Sequence, residues 1–410
     1  MAQTLIRNGL LMDTRAGELV GERDLLVDDG RIREVDDCGS IKAGGARMID
    51  ARGRVVMPGL CDAHVHVLAG SANLAAVQGW SPYYQAAKAN EIMAGMLRRG
   101  FTTVRDTGGG DWGLQLAVEH GLIQGPRLIQ GGPALSPTGG HADWRGPGES
   151  GTDICACCTG IGRVVDGVPE MLRACRDAIR RHAGHIKLVI SGGVASPLDP
   201  ITVMQFSAGE IAAAVEEADS AEIYVTAHGH PARAIKRALK LGIRCIEHGT
   251  MLDQECVDLF VEKDAWLVPT MSILECLNER GPEAGLPQRS MEKLAEVRPH
   301  AMASLEMAYR AGVKMAYGTD LLGILHDEQS REFRIRAEFM KPMEIIQQAT
   351  LHAASLFRMD GEIGVLEPGA RADILAIDGN PLDDLSLLEG QGRHMALIMK
   401  DGASVKNEVN

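Results

Sequence analysis

The sequence predicts an α/β protein: a (β/α)8 TIM-like barrel plus a small β-sandwich built from both termini. Three observations carry that expectation. Apolar strand-like runs alternate with helical runs from about residue 57 to 358. Both ends instead hold short alternating runs with hairpin turns. Histidine and aspartate stand at or near the ends of several middle strands, where such a barrel gathers its functional groups.

The N-terminal end reads "TLIRNGLLMD" and then "DLLVDDGRIREVDD". Asp28-Asp29-Gly30 is a hairpin signal between alternating apolar residues. The C-terminal end repeats the pattern with "ADILAIDGN" and "ALIMKDGASV", turning at Lys400-Asp401-Gly402. Residues 1–56 and 359–410 are therefore expected to form one composite β-sandwich domain, with 57–358 as the barrel.

In chain order, the expected barrel strands are "LCDAHVHV", "FTTVRD", "RLIQGG", "IKLVIS", "IYVTAHG", "CIEHGT", "WLVPT" and "KMAYGTD". Helical runs such as "ANEIMAGMLRRG", "VPEMLRACRDAIRRHAG" and "PARAIKRALKLG" lie between them. Several helices are expected to stop at a glycine: Gly100, Gly184, Gly242 and Gly312. One glycine-rich stretch, residues 131–160, interrupts the alternation after the third strand. Loops of that length are usually functional or disordered, and His141 and Trp144 suit a lid or substrate wall. The cluster Cys155, Cys157 and Cys158 in the same stretch lacks a second ligand pair at zinc-knuckle spacing and reads as reduced thiols.

The formal charge is −13, which argues against a nucleic-acid or anionic-membrane partner. No apolar run reaches the roughly 18 residues of a spanning helix. The N-terminus lacks the basic and apolar regions of a signal peptide, so a cytoplasmic location is expected. Nine scattered cysteines, an odd number, form no disulfide framework.

The chemistry starts at His64 and His66. They alternate on a strand, so both rings face one side. His228 and His248 each close an apolar strand before a glycine, and Asp320 closes the last strand in "YGTD". In a barrel these groups converge. Lys187 stands inside the apolar run "HIKLVIS", where an ammonium ion is costly to bury. Burial favours the neutral amine, and a neutral amine can combine with carbon dioxide to give a carbamate with two ligand oxygens. His230, two residues past His228, faces the same way by alternation and competes with it as a ligand.

"PGLCDAHVHV", the strand lysine, the two later histidines and "GTD" resemble the amidohydrolase superfamily, in its binuclear branch. "IDARGRVVMPG" and "GVLEPGARADILAIDGNPL" extend the resemblance over the whole chain. The resemblance implies two divalent metal ions, zinc being the expected one: His64, His66 and Asp320 on one, His228 and His248 on the other, carbamylated Lys187 bridging them. It favours His228 over His230 as ligand. "MLRRGFTTVRDTGG", "ALSPTGGHAD", "KLVISGGVASPLDP" and "YGTDLLG" are similar to the bacterial prolidase and metallo-carboxypeptidase group of imidazolonepropionase-like amidohydrolases, related to ochratoxin-hydrolysing members. That implies cleavage of Xaa-Pro dipeptides or N-acyl amino acids by metal-activated water. Asp320 would be the catalytic proton carrier, His141 a catalytic and substrate contact, and His230 a substrate contact. The His230 position is often tyrosine in the prolidases. The partner is then a small dipeptide or N-acyl amino acid, and family members are often homo-oligomers, octamers among them. An imidazolonepropionase-like cyclic amidohydrolase is the competing expectation, and Lys187 argues against it.

Overall fold

The computed structural model describes residues 3–146, 148–149, 160–196 and 198–409. Cys155, Cys157 and Cys158 lie outside the described residues. Among the described residues the longer strands form three sheets.

One sheet joins both ends of the chain. Thr4–Asp13 pairs antiparallel with Glu18–Asp28, which pairs with Arg31–Asp37. At the second of these hairpins Asp29 (φ 47°) and Gly30 (φ 75°) take the left-handed conformation of a tight primed turn. Asp401 (φ 46°) and Gly402 (φ 76°) repeat it between Met395–Lys400 and Ala403–Asn407. The ends meet where Val55–Pro58 pairs with Ile374–Ile377 on one side and Thr4–Asp13 on the other. Seven strands of this eight-stranded sheet thus form one hydrogen-bonded path, Arg47–Asp50 pairs with Thr4–Asp13 off it, and Ile6, Leu25, Ile32, Val56 and Leu397 share a buried cluster of their own.

The middle of the chain forms two parallel sheets. Leu60–Val65, Phe101–Asp106 and Arg127–Gln130 make the smaller. The larger runs Gly162–Val164, Ala134–Ser136, Ile186–Val189, Val225–Pro231, Cys245–Met251, Trp266–Val268, Lys314–Met315. Most of these residues are buried, as parallel strands covered by helices on their faces require. Backbone hydrogen bonds also join the smaller sheet to segments flanking strands of the larger. Ala63 N donates to Tyr317 O (2.7 Å), Asp320 N to His64 O (2.8 Å), and Gly184 N to Gln130 O (2.9 Å).

Three details differ from the sequence expectation. The run "KMAYGTD" yields a strand of only two residues. Beyond it the backbone packs so closely that a Cβ on Gly318 would lie 2.3 Å from Val268 Cγ1, and Asp320 turns at φ 58°. The helix Val168–Arg180 is followed by a left-handed His182 (φ 61°), not a left-handed Gly184. Gly100, Gly242 and Gly312 do take positive φ after their helices. Finally, residues 131–160 are not all loop: Ala134–Ser136 is buried and pairs with Gly162–Val164.

Among the described residues no helix is long and apolar enough to cross a membrane.

Candidate active site

His64 lies in the Leu60–Val65 strand and His66 one residue past it. Asp62, on the same strand, does not line the site. Its carboxylate accepts from His64 N (3.0 Å), Thr319 Oγ1 (2.6 Å) and Gln329 Nε2 (2.9 Å), which ties the strand to the segment carrying Asp320. Asp320 Oδ1 then stands 3.3 Å from His64 Nε2 and 3.2 Å from His66 Nε2. Asp106 accepts from Val67 N, Gly108 N and Gly110 N (2.7–2.9 Å). That turn presents Gly108 O to His66 Nδ1 at 2.8 Å. Ligand-type atoms of His64, His66 and Asp320 lie within 4.8 Å of one another, a group that could hold a metal ion.

Burial pushes the Asp320 carboxyl up, but His64 and His66 outweigh it and hold the group well below the usual range. It is a carboxylate, as a ligand must be.

His228 and His248 come from neighbouring strands, with ring centroids 4.6 Å apart. His248 takes φ 70°, which breaks the alternation of its strand. Consecutive residues Glu247 and His248 can therefore both reach inward. His248 Nδ1 meets Thr270 Oγ1 at 2.6 Å, and His228 Nε2 meets Gly192 O at 3.2 Å. Burial holds both imidazoles well below their ordinary pKa, hence neutral and able to ligate. Lys187, 3% exposed, sits on the Ile186–Val189 strand. Burial lowers its pKa, against the opposing pull of Glu247 and Asp320, and so favours the free amine.

His141 stacks on His228 (4.2 Å, 23°) and ties its Nδ1 to Ser196 Oγ at 2.7 Å. His230 ties its Nδ1 to Thr250 Oγ1 at 2.8 Å, and burial pushes its pKa down to about 3. All eight residues singled out for the site in the sequence line one cavity. Trp144, Ile161, Val194, Ile273, Leu277 and Leu322 give that cavity an apolar wall.

Sequence reasoning missed a second layer. Glu247 pairs with Arg105 (2.6 Å) and with His64 Nδ1 (2.7 Å), all three buried. Lys293, 1% exposed, donates to Ser196 O (2.9 Å) and Oγ (3.0 Å) and pairs with Asp199 (3.4 Å). Arg105 in "FTTVRD" and Glu247 in "CIEHGT" carried the same signal as Lys187, a charge inside an apolar strand run.

The amidohydrolase family model matches residues 55–405. A crystal structure of an amidohydrolase superposes with a TM-score of 0.97 at 45% identity, covering 100% of each chain. A prolidase crystallised with N-methylphosphonate-L-proline gives 0.96 at 43% identity, covering 99% of this chain and 100% of that one. The ochratoxinase of Aspergillus niger is 31% identical over 409 residues, which is 94% of this chain and 83% of that protein. The chain belongs to the amidohydrolase family and is a hydrolase acting on C–N bonds.

Proposed function

We propose that this protein is a binuclear zinc hydrolase that cleaves the amide bond of Xaa-Pro-type dipeptides or N-acyl L-amino acids. One observation carries the proposal: six ligand-type side chains from four strands or their ends and the Asp320 turn line one cavity, with His64, His66 and Asp320 already gathered. The donor set fits divalent zinc, being neutral imidazoles and an ionised carboxylate. His64, His66 and Asp320 would hold one ion, His228 and His248 the other. Lys187 Nζ would add to carbon dioxide, losing a proton, and the resulting carbamate would bridge the two. When bound, the ions supply Lewis acidity and make water a nucleophile near neutral pH.

The remaining work falls to the chain. Asp320 takes a proton from the attacking water and delivers it to the amide nitrogen as the C–N bond breaks, giving a free acid and an amine. His141, its Nδ1 engaged by Ser196, turns Nε2 toward the substrate carbonyl or carboxylate. His230, engaged by Thr250 and edge-on to His228, does the same. The apolar wall seats a hydrophobic acyl or amino-acid side chain. It also favours an N-acyl-phenylalanine amidase of the ochratoxin type as the second reading.

We also assign residues 57–358 to a closed (β/α)8 barrel, and 1–56 with 359–410 to a composite β-sandwich. The hydrogen bonds from the smaller sheet to segments flanking strands of the larger support closure. So does the Arg105–Glu247 pair, which joins a strand of the smaller sheet to one of the larger.

The test is a panel of Xaa-Pro, Xaa-Phe, Xaa-Arg and N-acyl amino acids, with metal content measured in parallel. Release of a free amino acid by protein holding about two ions per chain is expected. Metal-loaded protein that releases none from the whole panel contradicts it.

A further inference from the structure

We infer that Glu247, anchored by Arg105, is a positioning residue that fixes the tautomer of His64 and presets the His64–His66–Asp320 group for metal. The inference rests on the metal reading above and adds a role to a residue that reading does not use.

Glu247 is fully buried, and its two oxygens are divided between two tasks. Oε1 takes Arg105 Nη2 at 2.6 Å, the Thr226 hydroxyl, and Cys245 Sγ at 3.4 Å. Oε2 is left for His64 Nδ1 at 2.7 Å. Arg105 is held in turn: its Nε donates to Ala63 O at 2.6 Å and its Nη1 to Tyr224 Oη at 3.3 Å. The guanidinium thus grips both the carboxylate and the backbone carbonyl next to His64. Displacing it would break both contacts.

An ionised carboxylate only accepts hydrogen bonds. With its charge matched by Arg105, Glu247 stays ionised, so His64 Nδ1 must carry the ring proton. The lone pair is then on Nε2, the atom facing Asp320. His248 and His230 differ, because their Nδ1 partners are hydroxyls that can donate or accept. A carboxylate behind an imidazole also makes it a stronger ligand, and loss of such a partner typically costs about 10- to 100-fold in metal affinity.

The test uses the full chain with Lys187→Ala, His228→Ala and His248→Ala, which removes the bridging group and the ligands of the second ion and leaves the His64 site to be read. Metal-depleted protein is titrated with Zn(II) against a chromophoric chelator, and with Co(II) for its visible spectrum. Adding E247Q is expected to weaken Zn(II) affinity by about 10- to 100-fold and to shift the Co(II) bands. Because Glu247→Gln strands a buried guanidinium, a second protein carries Arg105→Met and Glu247→Met. Removing both charges is expected to keep the fold, read by thermal melting, while reproducing the affinity loss. Parent and variants with equal affinity and identical spectra would overturn the positioning role alone. An unsubstituted chain that takes up no ion would overturn the metal reading, and this role with it.

Discussion

Behind His64 stands a carboxylate, and behind His141 stands a hydroxyl. The Glu247–Arg105 pair is closed: the charges meet at 2.6 Å, and the remaining oxygen goes to His64. The bracing of His141 is looser. Ser196 Oγ lies between His141 Nδ1 (2.7 Å) and Lys293 Nζ (3.0 Å), while Lys293 shares itself with Ser196 O and Asp199. Asp199 keeps two further donors, Gln205 Nε2 (3.1 Å) and Gly193 N (3.2 Å). A carboxylate dictates one tautomer; a hydroxyl permits either. The difference suits the roles proposed for these two rings: His64 presents one lone pair, whereas His141 can adapt as charge moves; His248, a proposed ligand braced by the Thr270 hydroxyl, is held less strictly than His64.

The strongest way to break this contrast is at the residue that ends the metal group. Asp320→Asn is expected to lower kcat/KM by about 10³-fold on the best panel substrate, since it removes both a ligand and the proton carrier. Near-normal turnover would deny it either role.

Next comes folding. Arg105→Met leaves Glu247 buried without its counter-charge and should cost about 3–5 kcal/mol in urea unfolding. Lys293→Met should cost less, because Asp199 retains Gln205 Nε2 and Gly193 N. The reverse order would show that the second brace, not the first, is the more tightly closed.

A smaller effect separates substrate work from metal work. His141→Ala is expected to reduce kcat by about 10²-fold with metal content unchanged. Ser196→Ala, which frees the ring without removing it, should cost less in the same assay. Loss of metal from either protein would contradict the division.

The smallest effect is a pH dependence. Burial raises the Asp199 pKa, with Lys293 opposing, so the folded chain holds this proton more tightly than the unfolded one. The stability from that proton is fully present below the ordinary Asp value of about 4 and is lost as pH rises through the raised folded value. Urea midpoints of the parent, minus those of Asp199→Asn, should therefore fall as pH rises through that window. A difference that rises instead would give Asp199 the opposite sign.

Much of this was legible before any coordinates. Thr4–Asp13 and Phe101–Asp106 occupy the runs expected of them, because alternating or continuous apolar residues ended by a turn leave little choice. The residues expected at the site line one cavity: His64, His66, His228, His230, His248 and Asp320 stood at or near the ends of such runs, Lys187 stood out as a charge within one, and His141 lay in the glycine-rich stretch after the third. The braces were not legible. Arg105 and Glu247 are 142 positions apart, and Ser196 and Lys293 are 97 apart. Each half was visible as a charge or hydroxyl, but only the fold reveals the partner. The short Lys314–Met315 strand escaped for a related reason: what ends it is the closeness of Val268 and His64 to Gly318, a contact between distant segments.

The most direct test of the central claim is release of free amino acid from the dipeptide and N-acyl amino acid panel by one preparation, assayed metal-free, reloaded with Zn(II), and reloaded with Zn(II) plus bicarbonate. The account predicts no release from the first, partial activity from the second, and full activity with about two ions per chain from the third. Equal release from all three would contradict a metal-dependent hydrolase with a carbamylated Lys187.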